Sequence, residues 1–124
     1  APHGDLERVD LPNFGPLLKI TRPGRGATVL VVAHYDTVWP VGSWPERWHE
    51  RKGRIYGPGV YDMKSGLLFI LWLLRWAEAT DRGLPELEIL LNPDEEVGSL
   101  GSRNAIESAA LSSDVVLVLE PTVG

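Results

Sequence analysis

One stretch decides the fold: residues 28–40, which read TVLVVAHYDTVWP. Its first six residues are almost wholly apolar and rich in β-branched side chains, a pattern typical of a strand buried on both faces. Polarity then changes abruptly at His34 and Asp36, just past the predicted end of this strand. In open α/β sheets, ligands bind beyond the carboxyl ends of the strands. The stretch therefore predicts a central strand whose carboxyl end could form part of a functional site if neighbouring strands are also followed by polar side chains.

The rest of the chain predicts an alternation of strands and helices. Strands are expected at residues 17–21, 87–92 and 115–119, and helices at 63–81 and 102–110. The first part of helix 63–81 is apolar all round, so we expect it to be buried. The turn at residues 22–26 predicts a hairpin between strands 17–21 and 28–33, and residues 1–16 are expected to be an irregular lead-in. This order predicts an α/β fold with a mostly parallel sheet and helices on its faces.

Composition limits the classes of function. The chain has 124 residues, about one domain, and its net charge of -5 argues against binding to nucleic acid or to an anionic membrane. Without cysteine, any metal must be held by histidine and carboxylates. The longest apolar run, residues 67–74, is far shorter than a membrane span, and no signal peptide is recognisable. We therefore expect a soluble, cytoplasmic protein with no nucleic-acid or membrane partner.

Acidic and imidazole side chains follow three of the predicted strands, and one more acid precedes the long helix. They are His34, Asp36, Asp62, Glu95, Glu96 and Glu120. If the strands are parallel, these groups meet at one edge of the sheet. Five carboxylates this close repel one another unless a cation compensates them. A divalent metal such as zinc, manganese or cobalt suits this ligand set, and two metals bridged by a carboxylate would form a hydrolytic site.

Each residue also has a simpler interpretation when taken alone. His34 could be a hydrogen-bonded group at a strand end, Asp62 a helix N-cap, and Glu95 with Glu96 a solvated pair in a first turn. Glu120 before a proline says little by itself. These interpretations all require that the groups reach one sheet edge by accident, so the metal site is the more economical hypothesis.

Three tryptophans lie in the loop after the central strand: Trp39, Trp44 and Trp48. They could anchor this long loop onto the core, because large aromatic side chains mostly bury area. They could instead line a substrate cleft that accepts an aromatic or extended acyl group. We favour the anchoring interpretation, and the sequence leaves the second one open.

Four segments together resemble a known family. They are HYDTV at 34–38, YGPGVYDMKSG at 56–66, NPDEEVGS at 92–99 followed by Gly101-Ser102-Arg103, and EPT at 120–122. In this order and spacing they resemble the N-terminal part of the catalytic domain of co-catalytic di-zinc exopeptidases. Within that family the chain is most similar to the glutamate carboxypeptidase and aminoacylase type, including the bacterial enzymes that cleave glutamate from folates. The resemblance implies a three-layer αβα zinc-exopeptidase fold that is incomplete in this chain.

The resemblance also implies a role for each site residue. His34 and Glu120 match ligands of one metal, Asp62 matches the aspartate that bridges both metals, and Glu96 matches a ligand of the second. Glu95 matches the general base. The sixth residue, Asp36, matches the acid that orients the histidine ligand. A cis peptide is expected between Asp62 and Met63.

By resemblance, the function is that of a metal-dependent hydrolase with two Zn²⁺ ions, for which Co²⁺ or Mn²⁺ could substitute. It would cleave an amide bond of a small peptide or N-acyl amino acid, of C-terminal glutamate type, by a metal-bridged water with Glu95 as the base. The family's last histidine ligand and its lid and dimerisation domain lie further along the chain than residue 124. We therefore expect residues 1–124 to be part of a catalytic domain with an incomplete second metal site, inactive alone, and part of a homodimer at full length.

The sequence also allows two other classes of function. A non-catalytic metal- or ligand-binding module of the same fold would explain the ligands, but it has no need of a base such as Glu95. A nucleotide-binding domain is weakly suggested by Lys64-Ser65, but a phosphate-binding loop needs glycine where this chain has Met63. Glu95 is thus the residue that separates enzyme from binding module.

Overall fold

The computed structural model describes residues 4–80 and 82–122. It contains a five-stranded sheet of order β1-β2-β6-β3-β7, a separate two-stranded hairpin formed by β4 and β5, and two α-helices. The bounds are β1 Asp5–Val9, β2 Leu17–Arg22, β3 Thr28–His34, β4 His49–Arg51, β5 Arg54–Tyr56, α1 Ser65–Ala79, β6 Glu86–Asn92, α2 Arg103–Leu111 and β7 Val115–Val118.

The three strands expected to carry the site lie side by side. β3 pairs in parallel with β6 on one side and with β7 on the other, as predicted. β1 and β2 add two antiparallel strands beyond β6, so the sheet is mixed. The predicted hairpin between β2 and β3 was wrong, because β6 lies between them. The lead-in was also not irregular throughout, because it contains β1; residues 1–3 lie outside the described part of the chain.

Alternating residues of β3 face opposite layers of the core. Val31 and Ala33 pack in one cluster with Ile70 of α1, whereas Leu30 and Val32 pack in a second cluster with Ala109 of α2. The period of two along a strand sends successive side chains to opposite faces. The helices therefore cover opposite faces of the sheet, which confirms the three-layer αβα arrangement.

Helix α1 differs from its prediction in burial and in its start. Ile70 and Leu74 are buried, but Leu68, Phe69 and Trp72 are exposed, so the expectation of all-round burial was wrong for the described structure. The helix begins at Ser65 rather than residue 63, because an irregular turn precedes it. The last residue of the predicted helix, at position 81, is outside the described residues.

The tryptophan loop does not anchor itself onto the core. Trp39 and Trp48 are exposed, and Trp39 meets Trp44 edge to face with ring centroids 5.4 Å apart. The anchoring interpretation was therefore wrong for these two residues, whereas Trp44 is half-buried. Within the described ranges, no helix is long and apolar enough to cross a membrane.

Candidate metal centre

The site lies where β3, β6 and β7 end. His34 is the last residue of β3, is fully buried, and pairs in register with Asn92, the last residue of β6. Beyond β7, the Leu119 N–H donates to the Val32 carbonyl at 3.2 Å and carries the chain to Glu120. The parallel pairing thus places the carboxyl ends of three strands at one edge of the sheet, as the sequence predicted.

Three carboxylates surround the outer nitrogen of His34. Its Nε2 lies 2.9 Å from Asp62 Oδ1, 3.5 Å from Glu120 Oε1 and 3.9 Å from Glu95 Oε2. The imidazole is buried, whereas the side chains of these three acids are partly open to solvent. The structure therefore brings a buried imidazole nitrogen and accessible carboxylate oxygens together at the carboxyl ends of the strands.

Asp36 contacts the opposite side of the imidazole. His34 Nδ1 lies 3.2 Å from both the carboxylate Oδ1 and the carbonyl oxygen of Asp36. The two oxygens of this carboxylate also accept the backbone N–H groups of Glu95, at 3.3 Å, and Glu96, at 3.0 Å. Because both atoms near Nδ1 are acceptors, a proton is favoured there, and Nε2 can present its lone pair to a cation. Asp36 also fixes the turn that carries Glu95 and Glu96.

Two groups of ligand atoms share His34. In each group, the candidate ligand atoms lie within 4.8 Å of one another. One group is His34, Asp62 and Glu96, and the other is His34, Glu95 and Glu120. One imidazole among carboxylates is a donor set that suits zinc, manganese or cobalt, so these residues fit a divalent metal. Glu95, expected only as a base, lies within ligand distance in the second group.

The charges of the site raise the pKa of His34. Burial alone would lower the pKa of His34, but the hydrogen bond with Asp62 and the nearby charges of Glu120, Asp36 and Glu95 raise that pKa above its ordinary value. The acids thus stabilise positive charge at the position of the imidazole. The same acids would stabilise a divalent cation bound next to this imidazole.

Two of the acids titrate above their usual range. Burial raises the pKa of Glu96, with repulsion from Asp62 as the next cause. Burial also raises the pKa of Glu120, although the attraction of His34 opposes it, and repulsion from Asp62 and Glu95 adds to the rise. Burial is thus the largest cause of both shifts, and the crowding of like charge that the sequence predicted for this edge of the sheet adds to them.

Asp62 lies in the irregular turn Val60–Lys64, which precedes α1. The N-cap position of α1 is held by Lys64, so the N-cap interpretation of Asp62 was wrong. The expected cis peptide between Asp62 and Met63 is present. Met63 is buried, and its Sδ accepts the backbone N–H of His34 at 3.1 Å. This contact fixes the turn against the end of β3.

Asp94 has a supporting role that the sequence analysis missed. It is buried, and its carboxylate accepts the Gly101 N–H at 2.6 Å and the Ser102 N–H at 3.2 Å. The Ser102 hydroxyl donates to its other oxygen at 2.6 Å. These bonds close the loop from β6 to α2 behind Glu95. The sequence carried no signal for this role, because recognisable side-chain-to-backbone patterns join residues at most about four apart, whereas these bonds span seven and eight.

The fold and donor set define a class: an α/β domain with a carboxylate-rich candidate metal site at the ends of parallel strands. The sequence model of peptidase family M20/M25/M40 matches residues 30–124. The chain therefore belongs to this peptidase family. It is 39% identical to Carboxypeptidase G2 of Pseudomonas sp. (strain RS-16) over 104 residues, which cover 80% of this chain and 25% of that protein.

Solved structures share the fold. Human carnosine dipeptidase 1 matches with a TM-score of 0.77 and 18% identity over 92% of this chain and 28% of that one. The M20 family metallo-carboxypeptidase Sso-CP2 from Sulfolobus solfataricus matches with a TM-score of 0.72 and 21% identity over 94% of this chain and 29% of that one. The chain thus spans about a quarter of the length of its relatives. The predicted family and fold are confirmed, and the roles of individual residues stay predictions.

Proposed function

We propose that this chain forms part of the metal site of a metal-dependent hydrolase that cleaves an amide bond of a small peptide or N-acyl amino acid. The observation that carries the proposal is the pair of ligand groups that share the buried His34. Membership of a peptidase family supports the same reaction class. The amine side of the amide is expected to be a C-terminal glutamate, which rests on the sequence resemblance alone.

His34, Asp62, Glu96 and Glu120 are proposed to hold the metal, as two Zn²⁺ ions in the complete enzyme. When bound, a divalent cation supplies a Lewis acid for the scissile carbonyl and lowers the pKa of a nearby water. Asp36 keeps His34 oriented through the contact at Nδ1, 3.2 Å away. The acid behind the ligand thus keeps Nε2 turned toward the cation.

Glu95 is proposed as the general base. Its Oε2 lies 3.9 Å from His34 Nε2, and its side chain is 45% exposed, so a water can reach it from the cleft. The carboxylate takes a proton from the attacking water and returns it to the nitrogen of the leaving amine. The backbone N–H of Glu95 donates to Asp36, which fixes the start of this side chain relative to His34.

A non-catalytic binding module is the second candidate, favoured by the place of Glu95 in a ligand group with His34 and Glu120. If Glu95 is only a ligand, its loss should weaken metal binding. If it is a base, its loss should stop turnover and leave the metal bound. The two candidates therefore differ in the property that changes when this carboxylate is removed.

Replacing Glu95 by Gln in the intact protein tests the proposal. We expect hydrolysis of N-acyl glutamates to fall by a factor of about 10² or more, with metal content unchanged. Glu107→Gln, an exposed site on α2, is the matched control and should keep both properties. Unchanged turnover in Glu95→Gln would remove the assignment of the base, and a parallel loss of metal would favour the binding module.

Three further expectations accompany the proposal. Residues 1–124 alone should lack hydrolytic activity, because the second metal site needs a ligand from elsewhere in the enzyme. Assembly of the full-length protein as a homodimer and a cytoplasmic location stay predictions.

A further inference from the structure

We propose that Tyr61 is a positioning residue that holds the proposed ligand Glu120 in place before a metal binds. The inference rests on the proposed function and concerns the assembly of the same site. Tyr61 immediately precedes Asp62, and its hydroxyl donates to the carbonyl oxygen of Thr122 at 2.6 Å. This bond, which we call the Tyr61 tether, joins the turn that carries one proposed ligand to the chain that carries another.

Glu120 lies in a segment with few supports of its own. It follows the end of β7, and residues 119–122 belong to no helix or strand. The Leu119 N–H still donates to a carbonyl of β3 at 3.2 Å, whereas Pro121 has no N–H to donate. In the described part of the chain, the backbone beyond Leu119 takes part in one hydrogen bond, which is the Tyr61 tether. Glu120 is therefore anchored on one side by β3 and on the other by the Tyr61 hydroxyl.

The turn Val60–Lys64 is a firm base for this tether. The Lys64 ammonium donates to the Pro58 carbonyl, which closes the turn on the chain before it. The Ser65 hydroxyl, in the first turn of α1, donates to the carbonyl oxygen of Tyr61 itself at 2.9 Å. Because its backbone is held by the start of α1, the Tyr61 side chain can fix the position of the chain after β7.

The charges of Asp62 and Glu120 explain why such a tether is useful. Both carboxylates approach His34 Nε2, at 2.9 Å and 3.5 Å. Like charges this close repel one another unless a cation compensates them. Since Asp62 belongs to the better-fixed turn, the repulsion would displace Glu120 first. By restricting the Glu120 chain in advance, the Tyr61 tether reduces the conformational freedom that is lost when a metal binds.

The partner of the hydroxyl indicates a positioning role rather than a catalytic one. The side chain of Tyr61 borders a cavity of about 190 Å³ together with Asp62 and Glu96. A phenol there could donate a hydrogen bond to a substrate, but its one proton is already directed at the Thr122 carbonyl. Tyr61 is 61% exposed, so water competes for this bond and its loss should have a moderate effect.

The substitution Tyr61→Phe in the intact protein removes the hydroxyl and keeps the ring. We expect the Zn²⁺ affinity of the metal-free protein, measured by competition with a chromophoric chelator, to fall about three- to tenfold. Tyr56→Phe is the matched control. It removes the same group from an exposed ring of β5 that stacks on His49 with centroids 5.2 Å apart, and it should bind Zn²⁺ as the wild type does. Equal affinities in Tyr61→Phe and the wild type would overturn the inference.

A double-mutant cycle shows whether Tyr61 acts through Glu120. In the Glu120→Ala background the ligand carboxylate is absent, so adding Tyr61→Phe should change the Zn²⁺ affinity by less than about 1.5-fold. A role in general stability would instead lower the affinity by the same factor in both backgrounds. That result would also overturn the inference.

The same proteins separate this inference from the proposed function. A wild type that binds Zn²⁺ with the expected dependence on Tyr61, but does not hydrolyse N-acetyl-L-glutamate, would refute the proposed function and support the Tyr61 tether. Hydrolysis by the wild type, together with a Zn²⁺ affinity that Tyr61→Phe leaves unchanged, would support the function and overturn the tether. A wild type that binds no Zn²⁺ would overturn both.

Discussion

At the scale of single residues, the site depends on the different partners of the two ring nitrogens of His34. Nδ1 contacts Asp36, which is held in turn by backbone N–H groups of the β6–α2 loop. Nε2 contacts Asp62 at 2.9 Å. A buried imidazole between two acids has one defined orientation, so a cation at Nε2 meets a preorganised ligand.

Replacing Asp36 by Asn should weaken metal binding. An amide oxygen accepts a hydrogen bond from the His34 ring less strongly than a carboxylate does. The substitution also leaves the two backbone N–H groups that Asp36 accepts poorly paired. Metal affinity is expected to fall by about 10–100-fold in a competitive chelator titration. Asp10→Asn, at an exposed acid outside the site, is the control and should bind normally. Equal affinity in both variants would show that Asp36 does not position His34.

Replacing Asp94 by Asn should lower stability. The buried carboxylate accepts three hydrogen bonds from Gly101 and Ser102, and an amide nitrogen would face donors where an acceptor is needed. The free energy of unfolding should fall by about 2–3 kcal/mol in urea titrations, against less than about 0.5 kcal/mol for Asp10→Asn. A loss below about 1 kcal/mol would mean that the loop has other supports.

At the scale of elements, the close fit of α1 against the end of β7 positions the site. A side chain at Gly66, in the first turn of α1, would come within 2.7 Å of both the Leu119 carbonyl oxygen and Met63 Cε. Only glycine lets the helix start approach the chain that leads to Glu120. At the turn before it, Gly59 has a φ of +64°, and a Cβ there would meet Thr37 at 2.5 Å. Glycines therefore bring Asp62 and Glu120 toward β3.

Gly66→Ala should be destabilising for that reason. Overpacking against a backbone carbonyl costs about 1–3 kcal/mol, measured as a lower midpoint of urea unfolding. Gly83→Ala is the matched control, because nothing lies within 4 Å of the Cβ that it would add. The two variants change the same atoms in different surroundings, so similar midpoints would contradict the close contact.

The elements that the sequence predicted well are those with a long apolar run. β3, β6 and β7 are continuous apolar segments, and their bounds are close to those expected. β1 was missed because three of the five residues of Asp5–Val9 are charged and the strand lies at an exposed edge, so the segment lacks a strand pattern. The pairing of β2 was mistaken because a nearby turn suggested a hairpin, whereas β6, far along the chain, supplies the actual partner. Pairing between distant segments has no local signal.

The sequence likewise predicted some features of the site and missed others. Parallel strands place their carboxyl ends at one edge, so the meeting of His34, Glu95 and Glu120 followed from the topology. The contact of Met63 with His34 depends on the path of an irregular turn, which no period in the sequence encodes. The exposure of Trp39 and Trp48 was likewise missed, because these indole rings lie on a surface loop although large aromatic side chains mostly bury area.

At the scale of the whole molecule, much apolar surface is exposed. Phe69 and Trp72 of α1 are 67% and 71% exposed, and all four residues of β7 are exposed at the edge of the sheet. An apolar helix face, and an edge strand whose outer side has no partner strand among the described residues, favour association with other chains. The 124-residue chain should therefore self-associate in isolation.

Light scattering of the isolated chain tests this expectation. Trp72→Lys should raise the monomer fraction by placing a charge in the apolar face, whereas Leu111→Lys, at the exposed end of α2, should not. A wild-type chain that stays monomeric across the concentration range would contradict the expectation.

The central claim is that the strand ends form a divalent-metal centre around His34. Metal content of the intact protein, measured by mass spectrometry after dialysis, tests it most directly when wild type is compared with Asp62→Asn and Glu107→Gln. Because Asp62 lies 2.9 Å from His34 Nε2 and Glu107 lies on α2, the first variant should lose most of its metal and the second none. Equal metal content in all three proteins, or no metal in the wild type, would contradict the claim.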